Sequence, residues 1–458
     1  MSIAKVFIAN RGEIACRIIR SCRAMDIKTV AVFSEADAEA LHVEEASHSL
    51  EIGPAPVAKS YLNQDALLMA LRVSGADAVH PGYGFLAENA DFAAAVESMG
   101  RIWIGPQPQT IEAMGDKERA REIARAAGIP VVPGSARFSP GDTAGLAAAG
   151  EKVGYPLLVK AAAGGGGIGM RLVTDPENLQ AQVETTQSLA ERSFGDGTVY
   201  LERFIAHARH IEVQVFGFGD GCGVHYFDRD CSVQRRFQKV IEEAPAPGLA
   251  AETRASLCEA ALALVDHVNY RGPGTVEFIY DRQAEAFYFL EMNTRIQVEH
   301  AVTEMITGAD LVAAQIELAA GNLVLPEQGD ISTDGHAIEC RIYAERPEKK
   351  FLPSPGELKR FDFPRESAGL RIDTGLRQGD RITPYYDPMI AKVITRGQSR
   401  NDAIAHMLQV LDEIKIEGVS TNLEFLGQVL RDRVFCEDLA TTRYVDEGSY
   451  RLEASGVS

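Results

Sequence analysis

The chain reads as an α/β protein of several units, opening with a parallel-sheet unit and closing in a mixed α+β region. Three observations give that class. Over the first hundred residues short apolar runs alternate with helically spaced ones, which is the βαβ pattern of a parallel sheet. Later apolar runs come in pairs joined by short polar turns, the sign of antiparallel hairpins. At 458 residues the chain exceeds one ordinary domain and suits two to four.

The elements follow in order. KVFIAN (5–10) is a first strand, RGEIACRIIRSCRAM carries apolar residues at helical spacing, and KTVAVF (28–33) is a second strand. DAVHPGYGFLAEN and RIWIGPQPQTIEAM continue the alternation to about residue 113. Gly12 either seats an anion at a helix N-terminus or only permits the turn. GDKERAREIARAAGIPVVPG (115–134) is a helix closed by Gly128 and Pro130. A second unit holds the strand PLLVK, a glycine stretch, the helix DPENLQAQVETTQSLAERSF, and the strands TVYLERFI and RHIEVQVFGF. Further strands and the helices TRASLCEAALALVDHV and GADLVAAQIELAA follow, the last capped by Gly321. The polar segment PEQGDISTDGH then marks a boundary before a last unit.

Composition excludes several classes. Apolar residues make up 46% and charged residues 24%, an ordinary globular balance, and no apolar stretch approaches the ~20 residues of a membrane span. The N-terminus does not resemble a secretory signal. Seven scattered cysteines without a C-x-x-C pair offer neither a disulfide framework nor zinc spacing, so a reducing, cytoplasmic setting is expected. The formal net charge of −19 opposes nonspecific binding to nucleic acid or anionic membrane. Phosphate chemistry must therefore rely on local basic clusters, of which CSVQRRFQK (231–239) is the obvious one.

The stretch KAAAGGGGIGMRLV (160–173) places five glycines in six positions. Gly164, Gly166 and Gly169 satisfy G-x-G-x-x-G, but a dinucleotide fold needs a helix after the glycines, and MRLVTD reads as a strand. A phosphate-binding Walker loop needs Lys and Ser or Thr where Met170 and Arg171 stand. What remains is a hairpin whose tip exposes backbone N–H groups and can fold over phosphates, with Lys160 just before it.

EMNTRIQVEH (291–300) carries more information. Read with period two as one strand, a single face holds Glu291, Asn293, Arg295, Gln297 and Glu299. DRQAEA joins TVEFIY to FYFLEM as a hairpin. Pairing Ile279 with Phe289 would set Glu277 opposite Glu291, where two carboxylates repel by roughly 3 kcal/mol at an effective dielectric near 20. A divalent cation removes the conflict, and Glu277, Glu291 and Asn293 suit a magnesium-nucleotide site.

Together these residues resemble the ATP-grasp enzymes and, among them, the biotin carboxylases. IANRGEIACRIIR, HPGYGFLAENADF, IGPQPQTIEAMGDK, RDCSVQRRFQKVIEEAPAPG, EMNTRIQVEHAVTEMITGADLV and YYDPMIAKVI match in order and spacing over nearly the whole chain. The resemblance implies an ATP-grasp fold in three units: a Rossmann-like N-terminal domain (1–113), an ATP-grasp domain (114–330) with a glycine-flap lid at about 133–203, and a C-terminal domain (331–446). It implies ATP with magnesium (or manganese), bicarbonate as substrate, and biotin presented on a separate carrier.

By motif, Lys117 and Lys160 would contact nucleotide phosphates under the flap of Gly165, Gly166 and Gly167, while Glu202, His210 and Gln234 would complete the ATP site. Lys239 and Arg295 would bind bicarbonate and the carboxyphosphate made from it, with Gln297 and Val298 lining that pocket. Glu299 would be the base toward bicarbonate, kept ionised by the neighbouring Arg295, and Arg341 would stabilise the enolate of biotin. Taken alone, His210 reads equally as a core histidine, Lys117 as a solvated charge, RRFQK as a solvated face, and Arg341 as a partner of Glu339 or Glu345.

Three positions depart from the family pattern: Ile168 where the flap carries a basic residue, Phe237 where RRHQK carries His, and ATTRYV, which lacks a hydrophobic–His pair. No Met-Lys pair occurs and no carboxyltransferase-sized region follows residue 446, so the expectation is a separate, homodimeric carboxylase component working with a carrier and a carboxyltransferase on other chains. The alternatives are another ATP-grasp ligase or a nonturnover nucleotide-binding subunit.

Overall fold

In the computed structural model, which describes residues 3–162 and 170–448, β1 (Lys5–Ile8), β2 (Lys28–Phe33), β3 (His48–Glu51), β4 (Ala78–His80) and β5 (Ile102–Trp103) form a parallel sheet in the order β3-β2-β1-β4-β5. The unbroken apolar run Val6–Phe7–Ile8, buried on both faces, explains its place at the centre. Val6 and Ile8 enter one core with Ile14, Ile18 and Leu311, whereas Phe7 enters the opposite one with Val30, Leu67 and Trp103. Helix Gly12–Ala24 starts on Gly12 at φ +62, a left-handed value that a Cβ would strain.

A small antiparallel sheet, order β7-β6-β8, joins β6 (Leu157–Ala161), β7 (Met170–Val173) and β8 (Val199–Arg203). Leu157, Val159, Val173, Val183 and Leu201 give it a core of its own. The strand after the glycines is the one the sequence predicts. The flap residues Gly165, Gly166, Gly167 and Ile168 lie outside the described residues.

The largest element is an eight-stranded antiparallel sheet. Its strands are β9 (Ala208–Phe218), β10 (Gly223–Arg235), β11 (Gln238–Ala244), β12 (Arg271–Asp281), β13 (Ala286–Asn293), β14 (His336–Tyr343), Leu370–Thr374 and Met389–Gly397. The order is β13-β12-β9-β10-β11-β14, then Met389–Gly397 and Leu370–Thr374. β9 shows how one sheet serves two purposes. Ile211, Val213 and Val215 pack on Leu257, Ala261 and Leu264 of helix Ala251–His267, so His210, Glu212 and Gln214 face the other way. β12 repeats the pattern, with Val276 and Phe278 in that core and Glu277 opposite.

Two strand expectations need correction. Ile279 pairs with Tyr288, not Phe289; an irregularity between Glu277 and Phe278 restores the offset, so Glu277 still lies opposite Glu291. EMNTRIQVEH is not one strand either, because β13 ends at Asn293 and a turn leads to helix His300–Thr307, with Glu299 at its N-cap. Glu88 accounts for the departure: its carboxylate accepts from Thr294 N at 3.1 Å and from Arg295 Nε at 2.9 Å, turning the chain away from the ladder.

Candidate active site

The face of the large sheet turned away from the helix opens on a cavity of about 1010 Å³. Lys117, Lys160, His210, Gln234, Lys239, Glu277, Glu291, Asn293, Arg295, Gln297, Val298, Glu299 and Arg341 all line it. Glu202 is set behind this lining. It reaches the cavity through its partners Lys160 and Arg121, the latter donating at 2.8 Å.

Lys239 is the hub. From the start of β11 its ammonium donates to Glu212 Oε2 (2.6 Å), Glu299 Oε1 (2.6 Å), Glu277 Oε1 (2.8 Å) and Gln297 Oε1 (3.2 Å). Glu277 Oε1 also accepts from Asn293 Nδ2 and Gln297 Nε2, both at 2.9 Å. Glu277 Oε2 lies 3.0 Å from His210 Nε2. Gln234 Nε2, fixed by Cys231 O at 2.7 Å, donates to His210 Nδ1 at 2.8 Å, which puts the ring proton on Nε2, toward Glu277.

Electrostatics follow from this crowding. Burial alone would favour the neutral acid at Glu299, but Lys239, Arg341 and Arg229 overcome it and hold the carboxyl well below the usual range. Burial opposes the charge on Lys239 as well, and Glu212, Glu277 and Glu299 more than reverse that, holding its pKa well above the ordinary lysine value. Glu212 is in turn braced by the fully buried Arg229, whose guanidinium also bonds Gln214, Thr275 and Thr303.

Several partners differ from the sequence expectation. Arg295 is not the cation on Glu299; it bonds Glu88 and Asn293 Oδ1 (2.9 Å), while Lys239 and Arg341 Nη2 (2.8 Å) hold Glu299. Arg341 pairs with Glu242 and Glu299, not with Glu339 or Glu345, and Glu345 belongs to Arg235. Lys117, 78% exposed, stands 3.4 Å from Glu291, so Glu291 is the least committed carboxylate of the set. Val298 contributes its backbone carbonyl to Lys392 at 2.8 Å.

Sequence reasoning missed Glu88, Arg121, Glu212, Arg229 and Glu242. Glu212 was within reach, since it shares the β9 face of His210 two positions earlier. The others meet the site only through tertiary contacts. The tip of the β10–β11 hairpin is also unusual. Arg236 and Phe237 both adopt left-handed backbone (φ +47 and +65), normally an Asn-Gly turn, and Phe237 stands 66% exposed on the cavity rim.

The donor set fits a magnesium ion accompanying a nucleotide. Hard carboxylate oxygens of Glu277 and Glu291 stand on paired positions beside the cavity, with the Asn293 amide next to them. The tighter group of His210, Glu212 and Glu277, whose ligating atoms lie within 4.8 Å of one another, already has its cation in Lys239.

Comparisons with known proteins bear on this geometry. Residues 2–111 match the model of the biotin carboxylase N-terminal domain, 116–327 the ATP-binding domain of the carbamoyl-phosphate synthase L chain, and 339–447 the biotin carboxylase C-terminal domain. The biotin carboxylase of Pseudomonas aeruginosa is 47% identical over 97% of this chain and 98% of its own. The biotin carboxylase–β,γ-ATP complex from Campylobacter jejuni superposes with a TM-score of 0.90 at 41% identity, covering 97% of this chain and 99% of that one. The biotin carboxylase domain dimer of Hydrogenobacter thermophilus 2-oxoglutarate carboxylase, bound to MgADP, ADP and bicarbonate, gives 0.89 at 42%, covering 99% and 100%. No helix among the described residues is long and apolar enough to cross a membrane.

Proposed function

This chain belongs to the biotin carboxylase family, and on that premise we propose that its cavity carries out the ATP-dependent carboxylation of carrier-bound biotin with bicarbonate, through carboxyphosphate. The observation that carries the reading is Glu299, 2% exposed and ionised between Lys239 and Arg341 at the cavity wall. A base must be ionised, and an anionic substrate needs cations beside it.

The resting contacts also say how the base is released. A carboxylate held far below its ordinary pKa is a weak base. Bicarbonate entering between Lys239 and Arg295 competes for the Lys239 ammonium, which relieves Glu299 of one cation and raises its basicity as substrate arrives. Gln297 and the Val298 backbone line that pocket. Lys117 and Lys160 are assigned to the nucleotide phosphates with the glycine flap, and Glu202, His210 and Gln234 to the rest of the nucleotide. Lys160 must first leave Glu202. Glu277, Glu291 and Asn293 would hold magnesium, which supplies charge neutralisation at the phosphates. Arg341, released from Glu299, offers a guanidinium to the oxyanion of enolised biotin.

The units carrying these roles are assigned to 1–113, 114–330 and 331–446. The partners are a biotinylated carrier and a carboxyltransferase, and the protein acts as a homodimer. The test is bicarbonate-dependent, biotin-stimulated release of ADP in the presence of magnesium. Loss of that turnover in Glu299→Gln with ATP binding retained is the expected result; nucleotide binding without turnover in the unaltered protein would sink the reading.

A further inference from the structure

Behind Arg341 lie two carboxylates for which the mechanism has no use. Glu242 on β11 and Glu339 on β14 are directly paired across the antiparallel ladder, so their side chains share one face of the sheet. Both residues have zero solvent exposure. None of their four carboxylate oxygens has a hydrogen-bond partner among the described residues. Glu242 Oε1 lies 2.5 Å from Arg341 Nη2 as an ion pair. The same Nη2 donates to Glu299 Oε2 at 2.8 Å.

Buried carboxylates without donors cannot both stay ionised at facing positions. We propose that Glu242 and Glu339 share a single proton and act as a positioning pair for Arg341, presenting its guanidinium to Glu299 and to the cavity instead of drawing it back into the sheet. With one proton the pair carries one negative charge, enough to anchor Arg341 from behind. With none it carries two and outcompetes Glu299 for the guanidinium.

The surroundings are consistent with that count. Glu242 is faced by Arg341, Lys239 and Glu299, and also by Cys231, Cys340 and Tyr343. Glu339 is faced by Lys392, Arg341 and Glu299, and by Tyr83 and Cys340. Lys392 is shared: it sits 3.0 Å from Glu13 Oε1 and 3.6 Å from Asp373. Burial lifts the Glu242 carboxyl to about 7 against the pull of Arg341, and burial lifts Glu339 well above the carboxylate range despite Lys392.

The role of Arg341 rests on the functional reading above, so the first measurement avoids turnover. Isotope-edited infrared spectra of the full-length protein should show the carbonyl band of a protonated carboxylic acid at neutral pH. That band should vanish at alkaline pH and be lost in both Glu242→Gln and Glu339→Gln. A band absent from the unaltered protein, or surviving in both variants, overturns the shared proton, whatever the activity. The second measurement is the pH profile of bicarbonate-dependent ADP release. The alkaline fall in kcat should be lost in Glu339→Gln, whose amide cannot ionise and gives Glu242 a donor; an unchanged alkaline limb overturns the positioning role. Should Glu339→Gln fail to fold, Glu242→Gln supplies the infrared result and Glu339→His, titrating differently, the shifted limb.

Discussion

Two clusters of opposite charges, each built on a buried cation, pack against the large sheet, one around Lys239 and one around Arg17. In the second, Arg17 bonds Glu304 at 2.9 Å and Asp310 at 2.8 Å, and Arg371 bonds Glu304 and Asp373, both at 2.6 Å. Asp310 also caps helix Leu311–Ala320. Each of these cations meets two carboxylates and none of the residues lines the cavity. Lys239 instead meets three carboxylates at the wall of a large cavity. Burial and charge are common to both, so neither marks a functional site. What distinguishes the Lys239 cluster is one cation contested by several anions next to open space, an arrangement that an incoming anion can rearrange.

The comparison can be broken by substitution, taking the largest expected effect first. Glu299→Gln should lower kcat for bicarbonate-dependent ADP release by ~10²–10⁴-fold, the usual contribution of a positioned base, and a loss under tenfold would remove Glu299 from that role. Lys239→Met removes the one cation that three buried carboxylates share, so it should abolish turnover and cost roughly 3–5 kcal/mol in denaturant unfolding. Glu304→Gln in the second cluster should cost stability of the same order, since it strips Arg17 and Arg371 of a shared buried partner. Its kcat per folded molecule should not change; a catalytic defect there would erase the contrast between the clusters.

A pH titration sharpens the comparison further. The folded-state pKa values of Glu277 and Glu299 are depressed, in each case against burial and by Lys239 first among the cations. The stability they supply is complete above the ordinary carboxylate pKa of ~4.3 and is lost as pH falls below it toward the folded values. Urea unfolding between neutral pH and pH ~3 should therefore show a steep acid loss that Glu299→Gln partly flattens. The smallest effect belongs to Lys117→Gln, whose exposed contact with Glu291 adds nothing measurable to Tm. KM for ATP should still rise by about tenfold, ~1.4 kcal/mol, and an unchanged KM would take Lys117 out of the phosphate site.

Much of this was readable in advance where periodicity was strict. The KVFI strand comes from a short apolar run, the strand after the glycines and the β12–β13 hairpin from local pattern, and the carboxylate pair Glu277/Glu291 survived a misjudged register because one irregularity compensated for it. The same rule failed over 294–299, where Glu88, some two hundred residues earlier, accepts the Thr294 N–H and binds the Arg295 side chain beside it. Period two cannot see such a partner.

By itself the sequence determined the strand and helix periods, the family motifs and the identity of the charged groups that would meet, because these depend on residue type and short-range spacing. Only the tertiary structure decided which cation holds which carboxylate: Lys239 and Arg341 on Glu299, Glu88 on Arg295, and Glu242 with Glu339 behind Arg341. Ion pairing falls off within a few ångströms and ignores distance along the chain, so the partners are fixed by how β9, β11, β12 and β14 stack, which no local pattern records.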